Sequence, residues 1–288
     1  MSTSADEVKP LVWVVTGASS GIGKAIALEA VQTPGAIVYA IGRDQEALRP
    51  LAKAGCLVVR LDVTDEASKI EATIAEIVKD SGKVDILVNA AGYLLEGGVE
   101  ETSEGEALEV FQTNLFGPLR LIRAVLPFMR QQRAGTILNI CGIATYRGSP
   151  NAGLYCATKA ALSTLTESLQ HETEPLGIRV CLVQLGHFRT PFLTPGHRRR
   201  VSSPIEDYNE VLDPLRKAFN GLNGAQPGDS ARAAQVLVEL ASLQDGVAGI
   251  PMFLPLGSDV IPAIRATNEA RVEAASSWEH LTSATDVC

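Results

Sequence analysis

The chain has 288 residues, 46% of them hydrophobic and 20% charged, enough apolar material for a full core in one α/β domain. A formal net charge of −8 argues against a nucleic-acid or anionic-lipid partner, and no apolar run approaches the length of a membrane span. Five Cys without a CxxC pair or His at ligand spacing point to neither metal nor disulfide and fit a reducing, cytoplasmic setting.

Residues 1–10, MSTSADEVKP, are polar and acidic and read as a disordered lead rather than a signal peptide. Leu11–Thr16 then reads as a buried strand, followed by a Gly-rich turn and an apolar-periodic helix over Gly21–Gln32. A strand over Ala36–Ile41, a helix over Gln45–Lys53 and a strand over Leu57–Leu61 come next. A helix is expected over Asp65–Asp80, with Thr64 as its N-cap, before a fourth strand at Val84–Asn89. A long helix lies within Ser103–Arg130, then a strand at Gly135–Ile140, a helix over Leu154–Glu174 stopped by Pro175, and a strand at Ile178–Leu185.

Regularity fails at Thr190. From there to Gly228 the chain is rich in Pro, Gly, Ser and charge, with two short helical stretches at most, and reads as a substrate lid. Its basic run, His197-Arg198-Arg199-Arg200, reads as a solvated loop. A helix over Asp229–Leu243, a seventh strand at Gly249–Leu254 and a helix over Ser258–Ala275 complete the pattern. Strand–helix alternation of this kind specifies a parallel sheet covered by helices on both faces. The fold class is α/β: one Rossmann-type doubly wound domain over residues 11–256, with a C-terminal helix and tail over 257–288.

The stretch VVTGASSGIGKAIA lies between the first strand and the first helix. Glycines there also serve ordinary turns, but this context lets backbone approach a pyrophosphate at a helix N-terminus. TGASSGIG, LDVTD at Leu61–Asp65, NAAG at Asn89–Gly92, Asn114 in QTNLFG and YCATK at Tyr155–Lys159 follow one another in order. On these motifs the chain resembles the short-chain dehydrogenase/reductase family over Leu11 to Leu256. The resemblance implies a seven-stranded parallel sheet of order 3-2-1-4-5-6-7. It also implies cofactor contacts from Gly17, Ser19, Ser20, Gly21, Ile22 and Gly23 to phosphates and ribose. By the same resemblance Asp62 and Val63 flank the adenine, and Asn89, Ala90 and Gly92 lie under the adenosine ribose and the sheet centre. Gly186, Phe188 and Thr190 match residues near the nicotinamide amide and the phosphates.

The second strand ends in VYAIGRD. Gly42 stands where a carboxylate would bind a ribose 2′-OH, and Arg43 follows it, so the charge pattern favours NADP(H) over NAD(H). A surface Arg beside a helix-capping Asp44 is the plainer alternative.

Tyr155 and Lys159 are one helical turn apart, so an ammonium faces a phenol whose ordinary pKa, about 10, makes it a poor acid–base group at neutral pH. The neighbouring charge is expected to lower it. The resemblance makes Tyr155 the general acid/base, has Lys159 also hold the nicotinamide ribose, and has Asn114 bind a water on the proton path. The family's catalytic Ser falls on Gly142, with Cys141 before it. Cys141, Thr145, Ser149 or a water could stand in for the hydroxyl, or Gly142 could make room for a bulky substrate. A second departure is Leu185 in place of the family's Pro before Gly186; the neighbouring His187 reads as solvated or structurally bonded.

The lid and tail resemble the steroid- and retinol-dehydrogenase-like branch, implying a fairly large apolar small-molecule substrate. Phe192, Leu193, Tyr208, Leu212, Leu215 and Phe219 are candidates to line its pocket. The expected activity is NADP(H)-dependent interconversion of a ketone and a secondary alcohol, a reaction shared by enzymes of secondary metabolism. An isomerase, cyclase or lyase on the same scaffold is the alternative. The family habit implies a homodimer or homotetramer. The small face Ala157, Ala160, Ala161, Thr164 and Leu165 suits either such packing or the domain's own core.

Overall fold

Val12, Trp13, Val14 and Val15 are all fully buried, which is why this first apolar run shows no alternation. They form β1 (Val12–Val15), paired in parallel with β2 (Ile37–Gly42) on one side and β4 (Ile86–Asn89) on the other. Trp13 and Val15 join a core cluster with Ile22 and Ile26 of α1 (Gly21–Ala30) and Leu237 of α8 (Ser230–Ser242). Val12 and Val14 face the other way, into a cluster with Ile74 of α3 (Ala67–Ser81) and Leu121 of α5 (Gly117–Gln132). Two cores on opposite faces of one sheet are what the period of two along a doubly covered strand requires.

This computed structural model describes residues 10–243 and 250–285. The expected lead, apart from Pro10, and Gly249 at the start of the expected seventh strand lie outside them. The main sheet holds seven parallel strands in the order β3-β2-β1-β4-β6-β7-β9, with β3 (Leu57–Arg60), β6 (Gly135–Gly142), β7 (Ile178–Leu185) and β9 (Phe253–Leu256). This is the expected order once two short extra strands are set aside. β6 and β7 pair over eight residues, from Gly135 opposite Ile178 to Gly142 opposite Leu185.

Four local expectations are corrected. Thr64 does not cap α3: its N–H and hydroxyl both bond Asp62 Oδ1, at 2.9 and 2.8 Å, and Glu66 precedes the helix without a side-chain cap. The long helix is two segments, α4 (Glu104–Phe111) and α5, joined by a π-helical turn at Gln112–Phe116. The basic run is not a solvated loop. β8 (Arg198–Arg200) pairs in parallel with β5 (Leu94–Glu96), and Arg198 is buried against the Glu96 carboxylate. Glu96 Oε1 also has Arg200 Nε at 3.6 Å and Arg216 Nε at 3.7 Å, so a buried carboxylate draws the run inward. The segment that was expected to hold only short helical stretches contains α7 (Asn209–Leu222), fourteen residues long. The remaining helices are α2 (Gln45–Lys53), α6 (Gly153–Thr173), α9 (Val260–Ser276) and α10 (Glu279–Thr282). No helix among the described residues is long and apolar enough to cross a membrane.

Candidate active site

A cavity of about 430 Å³ lies over the C-terminal ends of the central strands, where ligands bind in open α/β sheets. Its floor at one end is the β1–α1 turn. Thr16 Oγ1 donates to Val88 O at 3.2 Å and accepts from Ala90 N at 3.2 Å, tying the ends of β1 and β4 together. Gly17, at φ +62°, lies so close to β4 that a Cβ would stand 2.7 Å from Ala90 C, so no other residue fits both conformation and space. Ser20 precedes α1 in extended conformation without a capping side-chain bond, and no acidic residue occupies the first turn. The orphan N–H groups there sit beside the cavity wall formed by Ser20, Gly21, Ile22 and Gly23, an anion-binding end that fits a dinucleotide pyrophosphate. Arg43 also lines the cavity, its exposed guanidinium 3.7 Å from Asp62 Oδ2.

At the other end, α6 presents Tyr155 and Lys159 on one face. Lys159 is buried, and its Nζ donates to Ile140 O at 3.0 Å at the end of β6. The π turn aims Asn114 inward, where Oδ1 accepts from Tyr93 N at 3.1 Å and Nδ2 donates to Tyr93 O at 3.0 Å. Asn114 thus pins the strand-four loop beside Lys159. A Cβ on Gly92 would lie 3.0 Å from Asn114 Oδ1 and 3.6 Å from Lys159 Nζ. The carboxamide does not reach the cavity wall, and its polar atoms are taken up by Tyr93 and Thr158.

Burial pushes the Tyr155 phenol well above its ordinary range, with Cys141 and Cys156 nearby adding to the rise. The expected lowering by Lys159 is therefore corrected: burial dominates, and the ammonium is tied to the Ile140 carbonyl. The Tyr155 ring packs against Phe192, with centroids 5.9 Å apart.

Gly142 ends β6 on the cavity wall. Of the possible stand-ins, Thr145 is turned away, its hydroxyl donating to Gly142 O at 2.9 Å. Cys141 and Ser149 both line the cavity. Burial raises the Cys141 thiol, and the Ser149 hydroxyl donates to Pro150 O at 3.1 Å.

Of the residues expected at the cofactor, Gly17, Ser19, Ser20, Gly21, Ile22, Gly23, Arg43, Asp62, Val63, Ala90, Gly92, Gly186, Phe188 and Thr190 line the same cavity as Tyr155 and Lys159. Asn89 does not: it is buried in the sheet and donates to Asn139 Oδ1 at 2.9 Å, which removes its side chain from the site. Gly186 is required by space, since a Cβ would collide with the Asp259 carboxylate. His187 is structurally bonded, with Nδ1 2.6 Å from Asp259 Oδ2. From the segment 190–228, Phe192, Leu193 and Phe219 line the cavity, whereas Tyr208, Leu212 and Leu215 do not; the Tyr208 hydroxyl donates to Glu100 instead. Sequence reasoning missed Arg147, His197 and Leu222 on the wall, because the contacts that place them span the chain and leave no local pattern.

Residues 11–200 match the family model described as short chain dehydrogenase. A 3-ketodihydrosphingosine reductase of Bacteroides thetaiotaomicron is 37% identical over 201 residues, covering 70% of this chain and 72% of that protein. The crystal structure of a short-chain dehydrogenase from Streptomyces avermitilis superposes with a TM-score of 0.86 at 35% identity, covering 96% of this chain and all of that one. An alcohol dehydrogenase from Thermococcus sibiricus, solved with 5-hydroxy-NADP, gives 0.69 at 26% identity over 87% of this chain and 97% of its own.

Proposed function

The chain belongs to the short chain dehydrogenase family, and from that premise we propose an NADP(H)-dependent oxidoreductase that interconverts a ketone and a secondary alcohol on a fairly large apolar small molecule. The observation that carries this reading is one cavity joining three features: the uncapped start of α1, the Tyr155–Lys159 pair, and apolar side chains of the 190–228 lid. Arg43 at the end of β2 supports the choice of NADP(H), as does the cofactor analogue held by the Thermococcus enzyme. The keto lipid in the name of the Bacteroides relative supports a large apolar ketone.

The bound nicotinamide would supply or accept the hydride at the carbonyl carbon. Tyr155 gives its proton to the carbonyl oxygen in reduction; burial keeps that proton in place until it is needed. Lys159, held by Ile140 O, would hold the cofactor ribose, and Asn114 fixes the Tyr93 backbone beside it. Phe192, Leu193 and Phe219 cover the apolar part of the substrate and exclude water. Ala157, Ala160 and Thr164 are exposed, which favours their use between subunits of a homodimer or homotetramer over the domain's own core.

One feature favours a second reading, a non-redox isomerase, cyclase or lyase: Gly142 brings no hydroxyl to the substrate oxygen beside Tyr155. The two separate on stoichiometry. Loss of reduced-nicotinamide absorbance matching alcohol formed supports the oxidoreductase; product formed with no cofactor turnover overturns it.

A further inference from the structure

His197 belongs to the lid in sequence but stands on the cofactor cradle. Its Nε2 lies 3.5 Å from Ser20 Oγ, the residue before α1, across 177 positions of chain. Both residues line the cavity, together with Gly42 and Arg43 at the end of β2.

The backbone around this imidazole is fixed from several sides. His197 O accepts from Leu94 N at 2.9 Å, and His197 N donates to Thr194 O at 3.2 Å. The next residue, Arg198, is buried against Glu96 and donates from Nη1 to Asn220 Oδ1 of α7 at 2.7 Å. Arg199 lies over the Tyr93 ring, 4.4 Å from its centroid. Arg200 lies 3.6 Å from Glu96 Oε1, so all three arginines that follow His197 are engaged elsewhere, and the imidazole of this run faces Ser20.

Partial burial, with the Arg43 charge adding to it, holds His197 below its ordinary pKa. The His197 imidazole, the Arg43 guanidinium and the Ser20 hydroxyl line one cavity, and Asp62, on the same wall, lies 3.7 Å from Arg43 Nε. Such a donor cluster at the end of the second strand matches a phosphate on the adenosine ribose rather than a bare hydroxyl.

We propose that His197 is a ligand of the cofactor's 2′-phosphate, completing with Arg43 and Ser20 a site in which the phosphate bridges the lid to the nucleotide cradle. This rests on the NADP(H) reading above. It adds a lid-borne contact that would couple dinucleotide choice to lid position.

Binding of NADPH and of NADH to the full-length wild-type protein and to His197→Ala, His197→Gln and Arg43→Ala, followed by nicotinamide fluorescence, tests it. Thermal melts check that each variant is folded. The expected result is that wild type prefers NADPH and His197→Ala weakens NADPH about tenfold or more while NADH is unchanged. His197→Gln, which keeps a donor, should recover part of the loss. If wild type prefers NADPH but His197→Ala weakens both dinucleotides equally, or neither, the His197 proposal is overturned and the NADP(H) reading stands, with Arg43→Ala showing the phosphate's own contribution. If wild type prefers NADH, the NADP(H) reading itself falls, and this proposal with it.

Discussion

Replacing Gly142 with Ser restores a hydroxyl donor at the cavity wall, and the structure sets both its cost and its gain. The backbone at Gly142 is extended, with φ −170° and ψ −167°, a conformation Ser adopts freely. The new Cβ would stand 3.1 Å from Leu185 O, at the last paired position of β6 and β7, so the strand ends must part by a few tenths of an ångström. Mild overpacking of this kind costs about 1 kcal/mol, which in a domain of this size lowers the melting temperature by roughly 2–4 °C. Against that, one preorganised donor to a developing oxyanion contributes ~10²–10³ in rate. Turnover of a small ketone such as cyclohexanone, which brings no groups of its own to orient the carbonyl, should rise about a hundredfold in kcat/KM. The assay is initial-rate oxidation of NADPH, with the melt as folding control. A variant that is folded, binds NADPH as tightly as wild type and reduces the small ketone no faster would refute the assignment of Gly142 to the substrate oxygen.

Tyr155→Phe should lower turnover by ~10²–10⁴ while leaving NADPH binding within a few-fold, measured by steady-state rates and fluorescence titration. Because burial raises this phenol, its acid form persists as the pH rises through about 10, the ordinary phenol value. The ultraviolet phenolate signal at that pH should therefore be the same in wild type and Tyr155→Phe, and a one-tyrosine difference would contradict the burial argument. Asn114→Ala leaves Tyr93 N and O buried and without their partner, and should destabilise the fold by about 1–3 kcal/mol in urea unfolding. Burial pulls the Glu96 carboxyl upward, but the Arg198 hydrogen bond and the charges of Arg198 and Arg200 hold it, on balance, below its ordinary value. A depressed carboxyl stabilises the fold above its unfolded pKa, and that contribution is lost as pH falls through the folded one. Wild type should lose more stability than Glu96→Gln on acidification below the ordinary carboxylate range; equal losses would show that Glu96 does not anchor the lid. Arg198→Met, which leaves Glu96 with more distant partners, should cost about 3–5 kcal/mol or release the lid to proteolysis.

The main sheet was legible because its signals are local. Val12–Val15 is apolar throughout since both faces are covered, α2 starts and ends where Asp44 and the apolar spacing place it, and β7 occupies the expected residues. The cavity residues of the β1–α1 turn and the Tyr155–Lys159 face were legible for the same reason. The lid was not. β5 and β8 are three residues each and meet across about a hundred positions, so nothing near Arg198 signals the carboxylate that buries it. Pro214 inside α7 and the charges around it hid a fourteen-residue helix. Thr64 has the right chemistry for a cap, but the carboxylate of Asp62 lies closer. The Asn89 side chain turns to Asn139, a partner that only the pairing of β4 with β6 brings alongside.

Hydride transfer within the cavity that holds Tyr155 leaves an isotopic trace. It is followed by supplying NADPH dideuterated at the nicotinamide C4 together with a series of long-chain ketones that includes 3-ketodihydrosphingosine. The expected result is one deuterium on the carbinol carbon of the product and one NADPH oxidised per alcohol formed, both abolished in Tyr155→Phe. A product without deuterium, formed while the NADPH pool stays constant, would contradict it.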